Sequence, residues 1–290
     1  MTSRGPTARV RVRRHDGDDA IGGRATLAVE EPLEIRVDGQ VVATTMRTPG
    51  HDFDLALGFA ITDGGLDPRA VDAMRYCGAG AGEVIASGAA ADLSGPYAGD
   101  FNVVDVATRD RSGAAVHRHR ATAVSTACGI CGADVIADLT ARAGSVADVG
   151  LPITPEVVAA IAPAVRAAQA GFEATGATHA AAAVAADGTI EVVREDVGRH
   201  NAVDKVIGAL AAERRLPAHR SVLFTSGRVA FEIVAKALVA GFPALVAVSA
   251  PTSLAVEVAD RAGLTLIGFA RDDAFTVYSR SDRVVEPPSA

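Results

Sequence analysis

The 290-residue sequence has no tryptophan, and only 3 tyrosines, 3 methionines and 3 cysteines. Three cysteines are too few, and odd in number, for the disulfide framework of a small secreted protein. Positive charge is not in excess either. The formal net charge is −7, so there is no overall basic field to displace counterions, and nucleic-acid binding is not expected. No apolar run spans a bilayer: the longest, from Val229 to Ala250, is interrupted by Glu232, Lys236, Gly241 and Pro243. Arg9, Arg11, Arg13 and Arg14 near the start are not followed by the apolar run of a signal peptide. Together these absences predict a cytoplasmic protein with no membrane partner. A second CxxC and an HxxxH spacing are also missing, which leaves a structural zinc short of ligands.

What is present is an ordinary globular composition, 49% hydrophobic and 22% charged, enough for one large unit or two closely packed ones. Residues 1–22, rich in Arg, Asp and Gly, are expected to be a mobile tail. Residues 23–125 are expected to form a smaller α+β region. Leu33, Ile35 and Val37 alternate into Asp38-Gly39, and Val41, Ala43 and Thr45 alternate out, the pattern of a hairpin with a type I′ turn. His51 to Ile61 reads as a helix stopped by Asp63-Gly64-Gly65. A further short helix and strands near Glu83–Ala86 and Phe101–Thr108 complete the region. Residues 126–150 hold a CxxC and a short helix after it, and residues 151–290 alternate helix and strand. That alternation, with near-continuous apolar strands, predicts a largely parallel sheet covered by helices, and so an α/β fold class.

The most reactive candidate is Cys128-Gly129-Ile130-Cys131 at a loop-to-helix junction. Backbone N–H groups and the helix dipole at such a place favour a thiolate, and a thiolate can attack sulfur. Zinc binding, dithiol redox exchange and persulfide carriage are the competing readings; the ligand count speaks against zinc. Cys77, alone after Tyr76, reads as a small buried apolar residue.

Three strand-to-helix junctions in the second half carry polar groups where open α/β sheets bind ligands. The first holds Glu195, Asp196, Arg199, His200, Asn201, Asp204 and Lys205. The i, i+4 spacing of Asp196, His200 and Asp204 suggests one helix stacking them and orienting the imidazole. Thr225-Ser226-Gly227-Arg228 and Ser249-Ala250-Pro251-Thr252-Ser253 offer hydroxyls, free N–H groups and a guanidinium to an anion, although each could be ordinary capping.

Taken in order, Thr126 to Gly132, Thr178 to Ala181, Glu195 to Lys205, Ser226 to Arg228 and Ala247 to Val256 resemble the FdhD family, also called NarQ, over about Glu31 to Tyr278. The resemblance implies a sulfurtransferase that takes persulfide sulfur from a cysteine desulfurase. It passes that sulfur to the molybdenum bis(molybdopterin guanine dinucleotide) cofactor, bound as substrate, before the cofactor enters formate dehydrogenase. It also implies a homodimer whose C-terminal domain has the cytidine deaminase-like three-layer α/β fold. Carried over by position, the persulfide falls on Cys128 with Cys131 as its partner, and the cofactor-contacting stretch falls on Phe269, Ala270, Arg271, Asp272, Asp273 and Ala274. The expected cofactor-binding set adds Ser226, Gly227, Arg228, Thr252, Ser253, Asp196 and His200. Asp272 and Asp273 stand where glycine and a further basic residue are expected, leaving Arg271 as the cation of that stretch. His179 is followed by Ala180-Ala181, without the glutamate of the deaminase zinc signature, so neither deamination nor a bound metal is expected. The rival readings are a dithiol oxidoreductase and a non-enzymatic cofactor chaperone.

Overall fold

The computed structural model describes residues 5–17, 19–77, 102–110, 145–271 and 273–285. In chain order the elements are β1 (Thr7–Asp16), β2 (Asp19–Ala28), β3 (Glu31–Val37), β4 (Gln40–Arg47), α1 (Asp52–Thr62), β5 (Val71–Tyr76) and β6 (Val103–Thr108). There follow α2 (Pro155–Ala167), α3 (Ala170–Thr175), β7 (His179–Ala185), β8 (Ile190–Asp196), α4 (Arg199–Ala212) and β9 (Ser221–Thr225). The chain continues through α5 (Phe231–Val239), β10 (Ala244–Ala247), α6 (Ser253–Ala262), β11 (Thr265–Arg271) and β12 (Ala274–Ser279). Cys128, Cys131, Asp272, the strand expected at Glu83–Ala86 and the helix expected after the CxxC lie outside the described residues.

The first half builds a four-stranded sheet in the order β4-β3-β6-β5. Its β3–β4 turn has positive φ at both Asp38 (51°) and Gly39 (81°), the type I′ geometry expected from the sequence. Leu33, Ile35, Val37, Val104 and Val106 face α1, whose Phe53, Leu57, Ala60 and Ile61 complete one core. The expected tail is different. Residues 7–16 and 19–28 form a two-stranded antiparallel ribbon in unbroken register from Thr7↔Ala28 to Asp16↔Asp19. Arg and Val alternate along Arg9–Arg13, a period of two that composition alone conceals.

The second half is a six-stranded sheet in the order β12-β11-β10-β9-β7-β8. Its strands alternate sides. Ala180, Ala182, Val184, Val222, Phe224 and Val246 pack toward α2, whereas Ala181, Ala183, Leu223, Leu245, Ala247 and Leu266 pack toward α4, α5 and α6. The result is three layers of mixed α/β character. The expectation of a largely parallel sheet is corrected: only β9–β10 and β10–β11 pair in parallel, while β7–β8, β7–β9 and β11–β12 are antiparallel. Asp187-Gly188 is a short turn between β7 and β8, and a short turn can join only antiparallel neighbours. Among the described residues no helix is long and apolar enough to cross a membrane.

The two halves meet where α1 lies against α4. A Cβ added at Gly58 would overlap the Asp204 carbonyl oxygen, and one added at Gly208 would overlap the Asp54 carbonyl. Each helix therefore carries one glycine that lets the partner backbone come to contact distance.

Candidate functional site

Because β7 runs antiparallel to β9, the start of β7 lies beside the end of β9. That pairing brings His179 to the Ser226-Gly227-Arg228 turn. Ser226 Oγ accepts a hydrogen bond from the Ala180 amide at 3.0 Å and lies 3.3 Å from His179 Nδ1. Gly227 packs against Arg199: a Cβ there would stand 3.1 Å from Arg199 Cδ. The following turn is stitched to this one by Val229 N–H to Ala250 O (3.1 Å) and Thr252 N–H to Val229 O (2.9 Å). Beyond it, Phe269 N–H donates to Ser249 O at 3.2 Å. The ends of β9, β10 and β11, the start of β7 and the first turn of α4 thus form one crest, as expected for the ligand side of an α/β sheet.

Ser226, Gly227, Thr252, Ser253 and Phe269 are brought together on this crest. Arg228 is exposed beside them. Thr252 Oγ1 accepts from Ala255 N–H at 3.3 Å, so it also caps α6. Phe269 has a φ of 54° and is 40% exposed, an uncommon backbone state for a bulky residue holding its ring in water. Ala270 instead is buried in the α2-side core, and Arg271 pairs with Ala274 at the hairpin carrying Asp273.

The first turn of α4 has no side-chain cap at Gly198. Arg199 Nε and His200 Nε2 are buried and have no hydrogen-bond partner among the described residues. Such groups cost free energy unless water or a ligand meets them. Burial, then the neighbouring Arg199, lowers the pKa of both His179 and His200, with Lys236 adding to the effect on His200. Both imidazoles are therefore held toward the neutral form.

Asp196 and Asp204 were expected to stack with His200 on one helix and orient its imidazole, and they do not. Asp196 ends β8 rather than lying on α4, and among the described residues no hydrogen bond joins His200 to Asp196 or Asp204. Asp196 is fully buried and its oxygens are filled by Lys205 Nζ (2.7 Å), Thr48 N–H (3.1 Å), Gly198 N–H (2.9 Å) and Asn201 Nδ2 (3.0 Å). Lys205 Nζ also donates to Thr48 O and Glu195 O. Asp204 accepts from Lys236 Nζ at 2.8 Å and from Thr62 Oγ1 at 2.8 Å, and Asp63 closes on the same ammonium. This polar run therefore joins the two halves of the protein through Asp196 and Asp204, which reach Thr48 and Thr62, while Glu195 accepts from Gly171 N–H, Phe172 N–H and Thr178 Oγ1 within the second half.

In that network burial pushes the Asp204 carboxyl up to about 6; Lys236 opposes the shift and Asp63 adds to it. Lys236 is held above its ordinary value because Asp204 and Asp63 outweigh its burial. A carboxyl raised in the fold keeps its proton longer folded than unfolded. Its stabilising contribution is therefore greatest below its ordinary value of 3.8 and is lost as pH climbs through about 6. The Lys236 contribution has the same sign but persists through neutral pH, disappearing only above its ordinary 10.5. Asp63→Asn should move the Asp204 midpoint down, measured by carboxyl-carbon NMR titration. A midpoint still near 6 in that variant would show that burial alone sets it.

A separate cavity of 710 Å³ sits at the opposite end of β9, lined by Asp187, Glu191, Arg215, His219, Arg220 and Ser221 among others. Its Arg215 is already paired with Glu191 and Glu213, and Ser221 donates to Glu191. Those pairs occupy much of the polar lining, and the crest remains the better candidate.

The fold and crest define a three-layer α/β protein with anion-competent turns at the strand ends. The FdhD/NarQ family model matches residues 28–285, and the chain belongs to that family. It is 45% identical over 283 residues to the sulfur carrier protein FdhD of Mycolicibacterium paratuberculosis, covering 96% of this chain and 98% of that one. To the sulfur carrier protein FdhD of Streptomyces coelicolor it is 44% identical over 272 residues, with 92% of each chain covered. A crystal structure from Desulfotalea psychrophila, provisionally assigned as a formate dehydrogenase accessory protein, shares the fold. Its TM-score is 0.71 over 96% of this chain and 99% of that one, at 18% identity.

Sequence reasoning missed Arg199 and His179 as members of the crest. Arg199 stood in the quoted run, but its place in the first helical turn depends on α4 beginning at residue 199. His179 was weighed only as a zinc ligand, because the β7–β9 pairing that sets it beside Ser226 is non-local.

Proposed function

We propose that this protein is a sulfur carrier that accepts persulfide sulfur on Cys128 from a cysteine desulfurase and delivers it to a molybdenum guanine dinucleotide cofactor destined for formate dehydrogenase. The observation that carries the reading is the near end-to-end likeness to proteins named sulfur carriers, in a chain holding the Cys128-Gly129-Ile130-Cys131 pair. In the loading step the Cys128 thiolate attacks the outer sulfur of the donor persulfide. A new S–S bond forms on Cys128 and the donor cysteine leaves as thiolate. Attack by Cys131 on the inner sulfur of that persulfide would release hydrosulfide and leave a Cys128–Cys131 disulfide, so the pair itself supplies the two electrons that turn sulfane sulfur into sulfide.

Guanine dinucleotide recognition is assigned to the crest. The Ser226–Arg228 and Thr252–Ser253 turns suit phosphates, Arg228 and Arg271 supply charge, and the exposed ring of Phe269 suits a base. The unpaired Arg199 Nε is a donor that an anionic ligand would satisfy, and His200 Nε2 is one in the tautomer that carries its proton there. Asp196 is left out of this set because its oxygens are already filled.

Two measurements test the proposal. Cys128→Ala should take up no added sulfur after incubation with a desulfurase and cysteine, read by intact mass, and should fail to activate formate dehydrogenase; Cys131→Ala should still load. Wild-type loading by the Cys128 variant would remove that thiol from the mechanism. Arg228→Ala should weaken GDP binding by about ten- to a hundredfold in calorimetry, the loss of one charge-assisted phosphate contact of roughly 1.5–3 kcal/mol. Unchanged affinity would move the nucleotide off the crest.

A further inference from the structure

The β1–β2 ribbon takes no part in the crest or in any of the three apolar cores. Directly opposed residues in an antiparallel pair share a face, so the register divides the ribbon into two unlike sides. One side carries Ala8, Val10, Val12, Ile21, Ala25 and Leu27, with Ile21 67% exposed and Leu27 46% exposed, and ends at the turn in Arg14, opposite Ile21, and the pair Asp16 and Asp19. The other carries Arg9, Arg11, Arg13, His15 and Arg24, with Arg11 directly opposite Arg24. Residues 7–15 and 20–28 contain no acidic side chain, in a chain whose net charge is −7. Among the described residues β1 pairs only with β2, so its other edge is open, while β2 runs alongside α3.

A lone two-stranded hairpin is marginal in water, and an Arg opposite an Arg weakens it further. Three kinds of occupant would relieve this differently. Nucleic acid would meet the arginines and leave the apolar side wet. A second ribbon added at the β1 edge would bring arginines beside arginines. An extended segment in which acidic and apolar side chains alternate would satisfy both sides at once, its acids beside the arginines and its apolar groups extending the Val10–Val12 stripe.

We propose that the β1 edge of this ribbon is a docking site for an extended segment of another protein with alternating acidic and apolar side chains, bound by strand addition. This surface is independent of the thiols and of the crest. The probe is a fluorescent peptide alternating glutamate and valine, matched in length to β1 and titrated against the full chain. It should bind, weaken as salt is added, and bind about tenfold or more tighter than a scrambled peptide of the same composition. N-methylation of the amides along one peptide edge should abolish binding. Arg11→Glu combined with Arg13→Glu should weaken it about tenfold or more, and Ile21→Ser, which leaves the charge unchanged, should weaken it as well. These positions lie outside the cores, so the variants are certified by amide NMR showing the cross-strand contacts from Thr7–Ala28 to Asp16–Asp19 unchanged. Equal binding of the scrambled peptide, unchanged binding by the variants, stronger competition by duplex DNA, or a dimer abolished by Ile21→Ser would each overturn the proposal.

Discussion

Gly208→Ala is expected to destabilise the protein by about 3 kcal/mol, the upper part of the range for overpacking, and Gly58→Ala by a similar amount. The two glycines sit on facing helices, and an added methyl at either would occupy the space of a backbone carbonyl oxygen on the other. A flexible side chain can swing aside. A carbonyl in a helix cannot, because it is already an acceptor in the helical ladder, so α1 and α4 would have to separate. Separation would also strain Arg194 Nε to Asp54 Oδ2 (2.8 Å) and Thr62 Oγ1 to Asp204 Oδ1 (2.8 Å), which cross the same interface. Alanine ordinarily strengthens a helix relative to glycine by about 1 kcal/mol, so the sign of the result separates the two effects. A chemical-denaturation midpoint unchanged or raised in both variants would show that the helices can part at no cost.

Lys205→Met should cost about 3–5 kcal/mol by the same measurement, the usual penalty for leaving a buried charge without its partner. The stem keeps its volume, so the loss is electrostatic. Asp196 would retain only the dipoles of Thr48 N–H, Gly198 N–H and Asn201 Nδ2, and the carbonyls of Thr48 and Glu195 would lose their donor. Adding Asp196→Asn should recover part of the stability, because it removes the uncompensated charge. A double variant as unstable as the sum of the two single ones would argue that the pair is not coupled. The position of this pair gives the result a functional side. It fixes the end of β8 and the first turns of α4, where Arg199 and His200 lie, so the Lys205 variant should also bind GDP more weakly.

The same residues show how far the chain could be read before its structure was known. The β3–β4 hairpin, α1, β7, β8, β9, β10 and α6 were legible because each is signalled within its own span: alternation, turn residues or a capping threonine. The β1–β2 ribbon was passed over because its alternating partner residue is arginine, which raises charge and imitates a disordered composition. The direction of β7 was not legible, since it depends on which strand it pairs with.

For the candidate site, the sequence alone determined the kinds of residue and their spacing: two thiols three positions apart, two anion-competent turns at strand ends, and a dense polar run from Glu195 to Lys205. Residue type and local spacing are properties of the chain itself, and so are the family motifs they compose. Only the tertiary structure decided which way the polar groups face. Asp196, Asp204 and Lys205 turn toward Thr48 and Thr62, which precede them by more than a hundred positions, while Arg199 and His200 keep unpaired nitrogens near the crest. A buried charge goes where a partner is, and partners brought together by helix packing across that much intervening chain leave no local trace in the sequence.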